Sequence, residues 1–455
     1  MATSIPRSRR DVHEKVGIAS LLPEGLQLTY EGKACRDDIV GSTSSSPSIA
    51  LWPQAKSYDA SDNRLYLGDN LDVLAQLFRD TSIRGNVNLI YIDPPFATGG
   101  VFHSRVQRAA YEDIVTGTQF IEFLRKRLIL LHELLAEDGS IYVHLDKNMA
   151  FPMKIIMDEV FGAQNFRSWI TRQKCNPKNY TSKTYGNISD FILFYTKSEV
   201  YTWHRPVKRW LDVNEAKEYR YQDEDGRRYM KVPVHAPGVR NGATGKPWRD
   251  KLPPPGKHWQ YTPDQLDRLD ATGKIYWSAS GNPRRKVYFD EHCGVPVQDI
   301  WLDFRDAHNQ NIKITGFPTE KNPELLKHII SASSNVGDLV LDCFSGSGTT
   351  LASASELGRR WIGVDKSPEA IATTLKRFCH GTSPMGDFVE RTQLGVPHAQ
   401  VLPGIDTAAH VPITDFTFYA VGESSDYSNE TLAPISESLE KLTAAQKADQ
   451  CQLSG

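Results

Sequence analysis

An alternation of short strands and helices that stops and later resumes constrains this chain more than any other feature. From Arg64, the apolar runs RLYLGD and VNLIYID are rich in β-formers, end in Asp, and are separated by the helical pattern LDVLAQLF. FIEFLRKRLILLHELLAEDG follows, with apolar residues at three- and four-residue spacing, and is closed by Gly139. Strand SIYVHLD, helix MAFPMKIIMDEVFG and strand FILFYTK continue the pattern. Between about Lys197 and Asp299 it fails, replaced by turn-rich segments such as APGVRNGATGKPWRDKLPPPGKHW. It returns as NPELLKHIISASS, DLVLDCF, TTLASASELG and RWIGVD. Such alternation predicts an α/β fold with a doubly wound, mostly parallel sheet, assembled from both sides of an irregular insert.

Four regions follow. Residues 1–60, with the low-complexity stretch GSTSSSP, read as a flexible N-terminal arm. Residues 61–198 and 300–380 read as one α/β domain, and residues 199–299 as the inserted region. Residues 381–455 carry 3 basic and 10 acidic residues and one evident helix, ESLEKLTAAQKADQ, and read as an acidic C-terminal tail or cover. No apolar run approaches the roughly 20 residues that span a bilayer, and the N-terminus lacks the apolar stretch of a secretory signal. The expectation is a cytoplasmic protein without a membrane partner. The six cysteines lie far apart with no C-x-x-C pair, which argues against a disulfide framework and a zinc site and favours reduced, mostly structural thiols. His144 has no second ligand at metal spacing and reads as a strand-end residue, Cys343 as core, and no metal is expected.

Charge is segregated along the chain. Residues 161–300 hold 24 Lys and Arg against 15 Asp and Glu, whereas the remainder holds 29 against 40. The basic middle also carries six of the nine tryptophans: Trp169, Trp203, Trp210, Trp248, Trp259 and Trp277. Cations mixed with aromatic rings suit a surface that neutralises phosphates and stacks on bases; the alternative is a solvated basic face over a Trp-supported core.

Two motifs carry chemistry. DLVLDCFSGSGTT places a strand directly before a Gly-rich turn and a helix, where glycines let backbone N–H groups approach a ligand. Leu351 stands where G-x-G-x-x-G needs its third glycine, so a smaller adenosine ligand fits better than a dinucleotide. Asp365, at the tip of RWIGVD, can accept hydrogen bonds from both ribose hydroxyls. An ordinary turn with a surface acid is the bland alternative. In YIDPPFATGG, a strand delivers Asp93 to its tip before Pro94, Pro95 and Phe96. The prolines remove two N–H donors, leaving carbonyl acceptors beside a carboxylate and an aromatic face, which suits a planar group bearing –NH₂. An Asp-Pro-Pro turn with a buried Phe is the alternative.

DPPF after LIYI, with FSGSGTT after LVLD, resembles the amino-group DNA methyltransferases that use S-adenosylmethionine, in the beta order where the catalytic motif precedes the cofactor loop. LYLGDNLDVL, HELLAEDGSIYVHLD, DFILFYTKS, DIWLDF and TGFPTEKNPELLKHII fit the same family, over roughly Arg64 to Phe378. PPPGKHWQYTPDQLDRLDATGKIYW and NPRRKVYFDE look like the central region of type III modification subunits, although this chain is shorter than those subunits usually are. The resemblance implies the S-adenosylmethionine-dependent methyltransferase fold, with the insert as target-recognition region. It assigns Asp93, Pro94, Pro95 and Phe96 to the target amine. To the cofactor it assigns Asp69, Thr319, Lys321, Asp342, Phe344, Gly346, Gly348, Thr349, Thr350 and Asp365. Where the family commonly shows Lys-Pro, this sequence has Lys321-Asn322, with the proline displaced to Pro323.

A sulfonium methyl is already activated, so the enzyme need only align the amine with the S–CH₃ bond and stabilise the charge that develops on nitrogen. The resemblance therefore implies methylation of the N6 amine of adenine in double-stranded DNA, with the base flipped out of its stack. Asp before Pro-Pro leans toward adenine in the family; the N4 amine of cytosine is the rival. Arg240, Lys246, Arg249, Lys257, Arg284 and Arg285 are the candidates for holding DNA, each equally readable as a solvated charge. RNA or protein-amide substrates, a non-catalytic DNA-binding protein and a dinucleotide oxidoreductase are the remaining alternatives. A cognate restriction endonuclease and a homodimer are the partners the family suggests.

Overall fold

The computed structural model describes residues 26–41, 46–53, 63–95, 117–177, 183–208, 217–291, 295–306, 313–315, 317, 320–384, 410–422 and 429–453. Phe96, Trp210 and Thr319 lie outside these residues, as do 1–25 and 42–45. The chain divides into two compact units, residues 1–204 with 298–455, and residues 205–297. The first half of the larger unit runs α1 (Arg36–Gly41), β1 (Ser48–Trp52), β2 (Asn63–Leu67), α2 (Asn70–Arg79), β3 (Val87–Ile92), α3 (Thr118–Leu134), β4 (Leu135–Leu145), α4 (Ala150–Phe161), β5 (Phe166–Gln173) and β6 (Ser189–Thr196). The smaller unit contains β7 (Val207–Lys208), β8 (Tyr221–Gln222), β9 (Arg228–Pro233), β10 (His235–Pro237), β11 (Lys257–Trp259), α5 (Pro263–Ala271), β12 (Ile275–Trp277), β13 (Pro283–Tyr288) and β14 (Val295–Pro296). The larger unit then resumes with β15 (Ile300–Trp301), β16 (Lys313–Ile314), α6 (Pro323–Ser333), β17 (Leu339–Asp342), α7 (Thr349–Glu356), β18 (Arg360–Asp365), α8 (Pro368–His380), β19 (Ser383–Pro384), β20 (Phe416–Val421) and α9 (Asn429–Leu453).

Ten strands form one sheet in the order β1-β20-β2-β18-β17-β3-β4-β6-β5-β15. The six from β20 to β4 are mutually parallel; β1 and β6 enter antiparallel. Strands covered by helices on both faces read as continuous apolar runs, and every residue of NRLYL, LVLD and FTFYAV is buried. Asn63 stitches three neighbouring strands: its amide donates to the Asp415 carbonyl (3.0 Å), and its oxygen accepts from Trp361 N (2.7 Å). Among the described residues, no helix is long and apolar enough to cross a membrane.

In the smaller unit, Trp248 stacks on Trp277 (5.1 Å) and meets Trp259 edge-on (6.0 Å), over Val234, Leu266 and Ile275. Trp248 and Trp259 are core and Trp277, half-buried, packs against them, so the three are not a platform for stacked bases. Four antiparallel strands, in the order β12-β13-β9-β8, form the unit's main sheet.

Three expectations need correction. The helix expected to close at Gly139 ends at Leu134, because Leu135 is already extended and pairs with Val87 as the start of β4. The presumed arm is structured from residue 26 to 41 and from 46 to 53. Tyr30 Oη donates to Glu122 (2.5 Å), Lys33 pairs with Glu159 (2.6 Å) and Arg36 with Glu133 (2.7 Å), while β1 pairs with β20. The presumed tail contributes β20 to the sheet interior and packs α9 on α8. The acidic composition of that region concealed FTFYAV, six buried residues of strand-forming type.

Phe416 lies within 4.8 Å of the Trp52 ring and 5.3 Å of Phe378, and is 1% exposed. Phe416→Ala is expected to lower unfolding free energy by about 3–5 kcal/mol, measured by urea denaturation. A residue in a detached tail would change it by less than about 0.5 kcal/mol.

Candidate active site

Strand β17 has β18 on one side and β3 on the other, which makes it the topological switch point of the sheet. At the ends of these neighbouring strands stand four acids: Asp69 just after β2, Asp365 ending β18, Asp342 ending β17 and Asp93 just after β3. Ligands of open α/β sheets bind outside such carboxyl ends.

The turn from β17 to α7 is held from all sides. Gly346 (φ +51°) and Gly348 (φ +71°) are left-handed, and a Cβ on Gly348 would lie 2.6 Å from Thr374 Cγ2 of α8. Thr374 Oγ1 donates to the Gly346 carbonyl (2.9 Å) and Arg377 Nε to that of Ser347 (2.7 Å). Asp365 accepts from Gly346 N and Ser367 N (both 2.8 Å), and Asp342 from Phe344 N (3.0 Å) and Thr350 Oγ1 (2.6 Å). Burial raises both acids. It pushes Asp342 to about 7, with help from nearby Asp93 and Asp365 and against its two hydrogen bonds. Acids held against burial in this way favour a cationic ligand.

At the other side of the switch point, Asp93 Oδ2 pairs with Lys321 Nζ at 2.5 Å. Lys321 is positioned by the residue before it. Glu320 is buried, pairs with Arg377 of α8, and accepts from Thr315 N (2.9 Å) and Oγ1 (2.7 Å). Arg377 also donates to Thr349 Oγ1 (3.1 Å), so one guanidinium joins the Lys321 segment to the glycine turn. The displaced proline has a local reason. Asn322 caps α6 by accepting from Glu324 N (2.9 Å), and Pro323 takes the first helical position, where no N–H is needed.

A family model for N6 and N4 amino-group enzymes, described as DNA methylase, matches residues 87–376. This chain belongs to that DNA methylase family. It is 48% identical over 364 residues to the type II methyltransferase M.EcaI of Enterobacter cloacae, covering 79% of each chain. To the Mod subunit of the type III restriction-modification enzyme StyLTI of Salmonella typhimurium it is 27% identical over 373 residues, covering 72% of this chain and 55% of that subunit. A crystal structure described as the M1.HpyAVI-SAM complex matches 69% of this chain and 98% of its own, with 16% identity and a TM-score of 0.38.

The methyl donor of this DNA methylase is S-adenosylmethionine, and the residues present fit it. Ser345 Oγ, in the glycine turn, is buried with no hydrogen-bond partner among the described residues. A Cβ on Gly346 would meet nothing closer than Phe317 Cε1 at 3.8 Å, so the backbone there is open to close approach. When bound, this cofactor supplies a methyl group on a cationic sulfur, the charge that the buried acids favour.

Several residues of the methylase site escaped the sequence reading. Arg127 pairs with Asp69 (2.9 Å), lies 3.5 Å over the Phe123 ring and donates to Asn70, whose amide donates to the Cys343 carbonyl (2.7 Å). This network ties the end of β2 to the end of β17. The available signal was an arginine inside the apolar run LRKRLILL, where a solvated charge is out of place. His144 is fully buried, with Nδ1 at 4.0 Å from Asp93 Oδ1. Cys343 is buried with its thiol pushed up by burial, as a core residue should be.

In the smaller unit, Arg249 is paired with Asp267 (3.1 Å) and Asp270 (2.5 Å), and Arg285 sits over the Tyr261 ring. Arg240, Lys246, Lys257 and Arg284 are exposed, and no ion pair is formed by them among the described residues.

The raised Asp342 has a consequence for stability. Between about pH 4 and pH 7 the folded state holds a proton that the unfolded state has released, so unfolding free energy should fall as pH rises through that window. In Asp342→Asn this fall is expected to shrink, measured by urea denaturation at pH 5 and pH 8, and an unchanged pH dependence would contradict the assigned burial cost.

Proposed function

We propose that this DNA methylase transfers the methyl group to the N6 amine of adenine at a specific site in double-stranded DNA, with the target base flipped out of the helix. One observation carries this reading. At the switch point, beside the glycine turn, Asp93 retains acceptor capacity: Oδ2 is balanced by Lys321, and Oδ1 is buried with no hydrogen-bond partner among the described residues. An amino group would supply the missing donor. Pro94 adds a carbonyl without an N–H, and Phe96 is proposed to stack on the base. As the nitrogen gains positive charge, Asp93 stabilises it, a contribution of about 3–4 kcal/mol for comparable preorganised groups. Asp69, Asp342, Phe344, Gly346, Gly348, Thr349, Thr350 and Asp365 are proposed to hold the cofactor, with Asp365 on the ribose and Thr319 and Lys321 toward the methionine end. Aspartate before Pro94-Pro95 favours adenine over cytosine. A cognate restriction endonuclease and a second copy of the chain are the partners that accompany this reading.

The smaller unit supports DNA as substrate. Its cations fall into two groups. Arg227, Arg249, Lys274 and Lys286 are each paired with acids. On one face of the four-stranded sheet, however, strand register aligns Tyr276, Arg284 and Pro233, with Lys231 two pairs further along, opposite Lys286. Lys231 Nζ lies 3.3 Å from the Tyr276 ring centroid and 3.7 Å from that of Tyr221, which Arg220 also approaches. Lysine and arginine beside tyrosine rings, with no ion pair to Lys231, Arg284 or Arg220 among the described residues, suit a phosphate backbone.

The protein incubated with unmethylated duplex DNA and S-adenosylmethionine, then digested to nucleosides, should yield N6-methyladenine by mass spectrometry, and Asp93→Ala should abolish it. N4-methylcytosine would overturn the target base and keep the mechanism. In a separate binding series, Lys231→Ala and Arg284→Ala are each expected to reduce the salt dependence of DNA affinity by about one phosphate contact, and Arg249→Ala to leave it unchanged.

A further inference from the structure

Behind Asp93, polar side chains cross four adjacent strands in single file: Tyr91 on β3, His144 on β4, Asp190 on β6 and Arg172 on β5. All four are buried, and Tyr91 and His144 lie next to Asp93. His144 Nδ1 is 2.9 Å from Tyr91 Oη and 4.0 Å from Asp93 Oδ1, while Nε2 is 3.6 Å from Asp190 Oδ2. Asp190 accepts from Lys174 Nζ (2.8 Å) and lies 3.7 Å from Arg172 Nη1. Arg172 Nη2 pairs with Asp306 at 2.6 Å, and that side chain is 31% exposed. The file therefore runs from the target end of the site toward solvent. Asp93 Oδ1, His144 Nε2 and Arg172 Nη1 are all buried without a hydrogen-bond partner among the described residues. A histidine kept only for packing would have both ring nitrogens satisfied, since an orphaned buried donor costs about 1–3 kcal/mol.

The surroundings fix the tautomer. Burial, reinforced by Asp93, keeps the Tyr91 phenol protonated, so its hydroxyl donates to Nδ1. The ring proton then sits on Nε2, facing the Asp190 carboxylate. Burial would raise Asp190, but the facing His144 ring and the hydrogen bond from Lys174 outweigh it and hold the group far below the usual carboxylate range. For His144, burial lowers the pKa below its ordinary value; Lys321 and Arg172 act in the same direction, and Asp190 and Asp93 oppose. The ring is neutral at neutral pH, with its lone pair turned toward Tyr91 and Asp93.

Resting on the amine-methylation reading above, we propose that His144, backed by Asp190, is a positioning residue that relays the proton released by the methylated amine, acting through Asp93. The N–C bond forms with the nitrogen lone pair as the C–S bond breaks, and sulfur keeps that electron pair. As that bond forms and positive charge builds on nitrogen, the nitrogen gives up a proton to Asp93 and recovers its N–H electrons, so the proton relay and methyl transfer share one rate-limiting step. From Asp93 Oδ1 the proton passes to His144 Nδ1, once the Tyr91 hydroxyl turns away from that nitrogen and carboxylate rotation closes the 4.0 Å gap to a hydrogen bond of about 2.8 Å. The imidazolium so formed faces Asp190, and Asp93 is again a carboxylate paired with Lys321.

The test is the pH dependence of methyl transfer in a single turnover, with enzyme, duplex DNA and S-adenosylmethionine. Wild type should lose rate on the acid side as His144 protonates. His144→Gln should slow transfer roughly 10²-fold near neutrality and flatten that acid limb, with cofactor and DNA affinities unchanged. Asp190→Asn, which removes the counter-charge, should move the limb to lower pH, and this variant decides the matter if His144→Gln does not fold. A uniform loss of rate with the limb in place, or an unmoved limb in Asp190→Asn, would overturn the relay. A second arm needs neither cofactor nor DNA: ¹⁵N-histidine spectra at pH 7 should contain one neutral Nε2–H ring whose signals vanish in His144→Gln, and an Nδ1–H ring there would also overturn it. Wild type that methylates no DNA would instead defeat the underlying reading, while the spectra would still judge the proton's place on the ring.

Discussion

Burying a carboxylate is costly unless its charge is answered, and the larger unit brings Asp342, Asp365 and Asp93 to the ends of three adjacent parallel strands. Most of the surrounding architecture can be traced to that problem. The Gly346 N–H of the glycine turn and the Ser367 N–H answer Asp365, a threonine hydroxyl answers Asp342, and a lysine answers Asp93. The residual cost, visible in the raised Asp342, is the electrostatic preference the site holds in reserve for a cationic methyl donor.

Rigidity at the site depends on one buried ion pair. Arg377 of α8 binds Glu320 while donating to the carbonyl of Ser347 and the hydroxyl of Thr349. The segment bearing Lys321 and the glycine turn are therefore joined to each other by a single side chain. Such pairs add little net stability over a well-packed apolar replacement, but losing one partner leaves an unpaired charge, which costs about 3–5 kcal/mol. Their contribution here is geometric, because the distance between Lys321 and Asp93 depends on it.

What could be read from the sequence follows period and local chemistry. Continuous apolar runs ending in Asp identified the parallel strands, and Gly-x-Gly after such a run identified the turn, because both signals are local. The positions of Asp93, Asp342 and Asp365 at strand ends were legible for the same reason. His144, Asp190, Arg127 and Arg377 were not, since their meaning comes from neighbours 46 to 58 positions away that only the fold brings together. The reverse error occurred in the insert. Tryptophan among basic residues suggested a stacking surface, yet large rings are the most effective way for a small unit to bury area, and Trp248, Trp259 and Trp277 are used for that. FTFYAV was overlooked because net charge over a long window says nothing about a six-residue strand.

The position of β17 gives the chain an unusual assembly history. The strand at the centre of the sheet is encoded after the insert, whereas both of its neighbours' partners, β2 and β4, are encoded before it. A ribosome therefore releases β3 and β4 with one open edge and β2 as a separate strand, and some two hundred further residues emerge before the seam between them can close. Throughout that interval Asp93 stands on an unfinished border with no cofactor wall beside it. Closure of the seam thus comes late in translation and brings Asp342 and the glycine turn to Asp93 in one event, with β20 still to be added beyond β2.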